Sequence, residues 1–190
     1  MSNSLTEDTL FERIDYTVSH LTRGEYENCT FVNCIFHNAD LSNYVFRECT
    51  FDSCDFSLAK IGNTTMNDIR FLNCKLLGLH FEECNEFLLS FSFENCILKL
   101  SSFYKLKLKK SRFVNCNLQE SDFTESDLSG SLFDNCDLQC AVFDHTNLEK
   151  ADFRTSFNYS LDPENNRIKK AGFSRWGVIG LLDKYNIEIE

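Results

Sequence analysis

The segment Phe113-Val-Asn-Cys-Asn-Leu118-Gln-Glu-Ser-Asp-Phe123-Thr-Glu-Ser-Asp-Leu128-Ser-Gly-Ser-Leu-Phe133 carries a large apolar residue at every fifth position. An α-helix repeats at about 3.6 residues and a flat strand at about 2, so neither element makes this spacing. Working outward, the same phase takes in Leu88, Phe93, Leu98, Phe103 and Leu108 before the segment, and Leu138, Phe143, Leu148 and Phe153 after it. An earlier phase runs through Leu21, Tyr26, Phe31, Phe36, Leu41, Phe46, Phe51, Phe56, Ile61, Met66, Phe71, Leu76 and Phe81, with Phe11 and Tyr16 extending it backwards. Two residues before most of these centres stands a small residue, such as Cys34, Ala39, Cys54, Ser121, Ser126 or Ala151.

The cysteines report the same order on a longer scale. The Phe-x-x-Cys units at Phe31, Phe51 and Phe71 follow one another at intervals of four pentads, as do those at Phe93, Phe113 and Phe133. Between the groups, the step from Cys74 to Cys96 is two positions longer. The same two-residue offset separates the two phases of centres, which places a small bulge near 82–87. Four pentads to a coil predict a right-handed quadrilateral parallel β-helix, an all-β solenoid, with one pentad on each side. Coils stacked at about 4.8 Å put like side chains in ladders, and nearly seven coils make a rod of roughly 32 Å. The layout expected is an N-terminal cap and irregular first coil over 1–20, the β-helix over 21–158, and a closing segment over 159–190.

This pattern resembles the pentapeptide-repeat consensus, roughly Ala-Asp/Asn-Leu-x-x, which is matched in Ala39-Asp40-Leu41, Ser126-Asp127-Leu128 and Ala151-Asp152-Phe153. The stretch from Gly24 to Leu41 is similar to the opening coils of Qnr-type quinolone-resistance proteins. That resemblance implies a protein that imitates duplex DNA, occupies the DNA-binding groove of bacterial DNA gyrase or topoisomerase IV, and protects the enzyme from quinolones or toxins. It also implies a homodimer joined through the C-terminal segment. A pentapeptide-repeat scaffold for another protein partner is the alternative.

Composition narrows the classes. Met1 to Leu10 is polar and acidic, and no apolar run approaches the ~18 residues of a membrane span, so a soluble cytoplasmic chain is expected. A formal charge of −10 argues against direct contact with nucleic acid through phosphates. Ten cysteines in such a chain read as free thiols. Nine of them occupy inward small positions or the bulge, which fits buried small hydrophobes rather than metal ligands, and Cys140 alone falls on an outward position. The histidines (His20, His37, His80, His145) share no spacing with a nucleophile, and there is no phosphate-binding Gly loop. No enzyme activity, metal or cofactor is expected.

For a binding rod, outward charge decides the partner. Glu120 to Asp152 holds nine acids against Lys150, while Lys99, Lys105, Lys107, Lys109, Lys110 and Arg112 form a basic belt. Asp122, Asp127, Asp137 and Asp152 directly precede a centre, where a short carboxylate serves local backbone hydrogen bonding. The candidate partner-binding acids are therefore Glu82, Glu83, Glu120, Glu125, Asp134, Asp144 and Glu149. Of these, Glu82, Glu83, Glu125 and Asp144 are expected on the side centred on Leu41, Ile61, Phe81, Phe103, Phe123 and Phe143. Near the C-terminus, Ser174 is placed to cap a short helix over Arg175 to Tyr185, with close approach allowed by Gly177 and Gly180. Its apolar stripe of Val178, Ile179, Leu181, Leu182 and Tyr185, followed by a short strand with Ile187 and Ile189, is the candidate dimerisation surface.

Overall fold

The fold was established from a computed structural model, which describes residues 4–189 of the chain. The pentads form a right-handed parallel β-solenoid with four sides per coil. Side A carries a seven-stranded parallel sheet. Its strands, in spatial order, are β2 (Leu10–Glu12), β4 (Thr30–Val32), β6 (Thr50–Asp52), β8 (Ile69–Leu72), β9 (Phe91–Glu94), β10 (Arg112–Val114) and β11 (Leu132–Asp134). Side D carries a four-stranded parallel sheet of β1 (Ser4–Glu7), β3 (Gly24–Glu27), β5 (Val45–Arg47) and β7 (Thr65–Asn67). Sides B and C are joined by isolated parallel bridges, such as Asp15↔Ile35↔Asp55↔Lys75 on B and His80↔Ser102↔Asp122↔Val142 on C.

Each centre points inward and stacks on its counterpart in the next coil. On side A the rings of Phe11, Phe31, Phe51, Phe71, Phe93, Phe113, Phe133, Phe153 and Phe173 form one continuous column. Neighbouring centroids lie 4.6 to 5.6 Å apart and their planes agree within 17°. A second column of Phe81, Phe103, Phe123 and Phe143 rises from side C and meets the first edge-on, as in the Phe113–Phe123 pair at 85°. Offset stacking along the rod and edge-to-face contact across it are the two arrangements that aromatic quadrupoles favour. Phe113 pairs with Phe133 in register and both are fully buried.

The small residue two before each centre also faces inward, and its chemistry has a purpose there. Ser121, Ser131, Thr146 and Ser156 donate through their hydroxyls to the carbonyls of Leu98, Leu108, Phe123 and Phe133 at 2.8–3.0 Å. Cys54, Cys74, Cys96 and Cys136 place their thiols the same way toward Phe31, Phe51, Phe71 and Phe113. A buried carbonyl left without a donor costs about 1–3 kcal/mol, so small and polar outdoes merely small at this position. The residue two after most centres turns the corner with positive φ, for instance Asn33 (53°), Asn73 (54°), Glu125 (56°) and Lys110 (59°).

Two local expectations are corrected. Leu88 does not open the second phase: it is 61% exposed with φ 59°. The two extra residues are absorbed on side D, after a single 3₁₀ turn over Phe81–Glu83. Asn67 donates its side-chain amide to the carbonyl of Leu88 at 2.8 Å, which ties down the bulge backbone while the side chain turns out. Phe91 is buried in its stead, 5.0 Å from Phe81, and the regular stack resumes at Phe93 on Phe71. At the C-terminus the expected helix consists of two 3₁₀ turns, Gly177–Leu181 and Asp183–Tyr185, and residues 186–189 form no strand. Two glycines weaken an already short helix. They are nevertheless required, because a Cβ at Gly177 would strike the hydroxyl of Tyr159 and one at Gly180 its carbonyl.

Truncating the middle of the side-A column should cost far more than truncating its first ring. Phe113→Ala should lower the unfolding free energy by about 3–5 kcal/mol, as for other buried Phe. Phe11→Ala, with a neighbouring ring on one side of the column, should cost clearly less. Urea unfolding of both variants, followed by far-UV circular dichroism, checks this order.

Candidate partner-binding surface

Outward positions follow from the coil: one residue before and one after each centre face solvent, and the corner residue projects between sides. Several of the outward acids are committed to the backbone. Asp122, Asp127, Asp137 and Asp152 accept from the N–H two residues on (Thr124, Ser129, Gln139 and Arg154) at 2.8–3.2 Å. Asp15, Asp40 and Asp55 do the same earlier in the rod. Hydrogen bonds from Ser42 hold the Asp40 carboxyl below its ordinary range, and the Arg154 guanidinium does so for Asp152.

The candidate acids do not gather on one side. Glu82 and Asp144 lie on side C, Asp134 on side A and Glu149 on side D, while Glu83 and Glu125 project from the C–D corner and Glu120 from the B–C corner. Most have cationic or polar partners. Glu82 meets His80 at 2.9 Å, Glu120 meets Lys99 at 2.9 Å and Glu125 meets Lys105 at 3.5 Å. Asp144 lies 3.0 Å from His145, and Glu149 2.7 Å from Arg167. Asp134 accepts from the Thr155 hydroxyl at 2.7 Å.

These contacts reveal an arrangement that linear reading missed. The basic belt occupies one coil, and the coil beneath it carries Glu120, Glu125 and Asp127. Lys99, Lys105 and Lys109 each reach down to one of those acids, the last at 3.4 Å from Asp127. The signal was present in the separation of these partners by about one coil, and required reading charges by coil rather than by run. Exposed pairs of this kind contribute only about 0–1 kcal/mol each. Their main effect is on the surface field, which they break into patches.

At the C-terminal end, Ser174 accepts from the N–H of Gly177 at 2.8 Å, and Leu161 donates to the carbonyl of Gly180 at 3.1 Å. Lys184 pairs with Asp162 and Glu164 at 2.7 and 2.6 Å, so the segment is held on the final coils. Of the candidate dimerisation residues, Val178, Ile179, Tyr185, Ile187 and Ile189 are exposed, whereas Leu181 packs on the core and Leu182 is half-buried. Ile179, Leu182, Ile187 and Ile189 line one groove. Trp176, 86% exposed beside them, was not singled out in the sequence because it falls outside the apolar stripe.

Nine cysteines are buried and free, and Cys140 is exposed. Burial pushes the Cys49 thiol up to about 12; burial and the neighbouring Glu82 and Glu83 charges push Cys84 equally far. Such thiols are inert as nucleophiles. Among the described residues no group of three or more His, Cys, Asp or Glu side chains is placed to hold a metal ion, and no helix is long and apolar enough to cross a membrane.

The fold and surface thus define a repeat solenoid that presents side chains in coil-by-coil registers. Family models agree: one for a pentapeptide repeat region matches residues 87–158 and one for pentapeptide repeats (8 copies) matches residues 27–62. The chain belongs to the pentapeptide-repeat family. Among solved structures it is similar to trypsin-treated QnrB1, a plasmid-mediated fluoroquinolone resistance protein, with a TM-score of 0.51 and 22% identity. That match covers 98% of this chain and 100% of the other. Full-length QnrB1 gives 0.48 and 22%, covering 97% and 100%. HetL, from the cyanobacterium Nostoc, gives 0.31 and 15%, covering 92% and 86%. Comparison with curated protein sequences gives no match.

Two measurements follow from this surface. Ellman's reagent should titrate one thiol per native chain, at Cys140, and all ten in denaturant. Stability should also decline in acid. Asp40 and Asp152 have folded-state pKa values below their unfolded ones, so their contribution is present above about pH 4 and is lost as pH falls through the folded values. Urea midpoints at pH 7, 5 and 3 should fall between the last two, and Asp152→Asn should flatten that fall.

Proposed function

We propose that this chain is a non-enzymatic binding rod whose partner is a bacterial type II topoisomerase, DNA gyrase or topoisomerase IV, and that it protects that enzyme from quinolones or toxins. The observation that carries the reading is the end-to-end correspondence with a quinolone-resistance protein, over 98% of this chain and all of the other, in a rod of formal charge −10. An acidic rod is drawn toward the basic groove that receives DNA, and its charge speeds the encounter at low salt. Glu83, Glu125 and Asp144 on and beside side C supply outward charge for such a contact. Trp176, Val178, Ile179, Tyr185, Ile187 and Ile189 supply an apolar surface through which two rods would join tail to tail, which makes the C₂ dimer the expected assembly. One observation favours a second reading, a scaffold for a different protein: the cross-coil ion pairs divide the surface into patches instead of a continuous acidic stripe.

Gyrase supercoiling assays with the protein titrated in, with and without ciprofloxacin, test the first reading. Rescue from the drug, or inhibition at higher protein, is expected. Glu125→Lys with Asp144→Lys should weaken either effect several-fold through like-charge repulsion in the groove. No effect on gyrase or topoisomerase IV would turn the assignment to the scaffold. Sedimentation equilibrium should give twice the 22.1 kDa chain mass, and Ile179→Asp with Ile187→Asp should return it to one chain.

A further inference from the structure

Lys99, Lys105 and Lys109 of the basic coil are matched by acids in the coil beneath, whereas Lys107, Lys110 and Arg112 have no ion-pair partner among the described residues. All three unmatched cations are exposed and lie together: Lys107 on side D, Lys110 at the D–A corner and Arg112 on side A. Lys110 takes φ 59° at its corner, a conformation that Asn or Gly adopts more cheaply, so the turn does not account for a lysine there. Directly before this coil on side D stands the bulge, from which Phe87 and Leu88 project at 72% and 61% exposure. Asn85 accepts from the N–H of Phe87 at 3.0 Å, and Asn67 donates to the carbonyl of Leu88, so the two apolar side chains are presented on a tethered backbone. Asp68, Glu86 and Glu94 stand at the edge of the patch.

We infer that this patch is a docking site for an acidic segment of a partner protein, one that sets apolar side chains against Phe87 and Leu88 and carboxylates against Lys107, Lys110 and Arg112. Charge complementarity selects this occupant. A duplex, with one charge per ~1.7 Å, would run from the patch onto the acids of the coils beneath, where Asp127, Asp134 and Glu149 stand. An anionic membrane would find only two apolar anchors. The inference does not rest on the topoisomerase reading, since it concerns a cationic patch in place of an acidic one.

The test is selection of a random dodecapeptide phage library on the full-length protein, followed by fluorescence anisotropy of the selected peptides. Selected sequences should be rich in Asp and Glu with interspersed Leu or Phe. Their affinity should fall about tenfold or more for Lys107→Glu/Arg112→Glu and several-fold for Phe87→Ser, with steep salt dependence for the wild type. Far-UV circular dichroism establishes that each variant keeps its fold; all of the substituted side chains are exposed. Peptides without net negative charge, peptides that bind the charge-reversed variant equally well, or no selected peptides at all would overturn the inference. Tighter binding of a 20-base-pair duplex or of phosphatidylglycerol vesicles than of any selected peptide would overturn it as well.

Discussion

The structure depends on a single register: along each side, backbone groups pair with the coil four pentads away, a step lengthened once by the two-residue insertion. Leu98 donates to Asn117, Ser102 to Leu79 and Phe133 to Asp152, while the residues between do the same on other sides. A chain so committed has little place for proline, which cannot donate, and this chain of 190 residues has one. The same register brings each Phe onto a Phe along side A, and each Cys onto a Cys where side B begins, from Cys34 to Cys136. The inward carbonyls left by the corners then call for Ser, Thr or Cys two places before a centre.

Much of this was legible because a period-five pattern leaves few architectures to choose from. The Phe-x-x-Cys spacing locates both the coil length and the two-residue insertion, and Phe113 lies on Phe133 as that spacing requires. What escaped was local. Leu88 keeps the period numerically but stands where the insertion is absorbed, and periodicity carries no information on which residues a bulge turns outward. The C-terminal stripe reads as helical on apolar spacing, yet Gly177 and Gly180 answer a steric demand from Tyr159 that is invisible before the fold is known.

The surface divides along the same line. Asp122, Asp127, Asp137 and Asp152 could be assigned to backbone hydrogen bonding from their place in the pentad alone. The pairing of Lys99, Lys105 and Lys109 with acids one coil on could not be read from runs of charge, because partners adjacent in space are a whole coil apart in sequence. In a solenoid, the coil is the unit in which charge must be counted.

The bulge also bears on how the rod deforms. Sides A, B and C keep their ladder across the insertion, through the pairings of Phe71 with Phe93, Lys75 with Ile97 and His80 with Ser102. Side D loses its sheet at β7 and resumes below as single bridges from Lys107 onward. Mechanically this is a beam notched on one face near its middle. Bending that opens side D separates fewer hydrogen bonds than bending toward any other side, so the rod has a preferred direction of flexure, and the notch sits beside the basic coil.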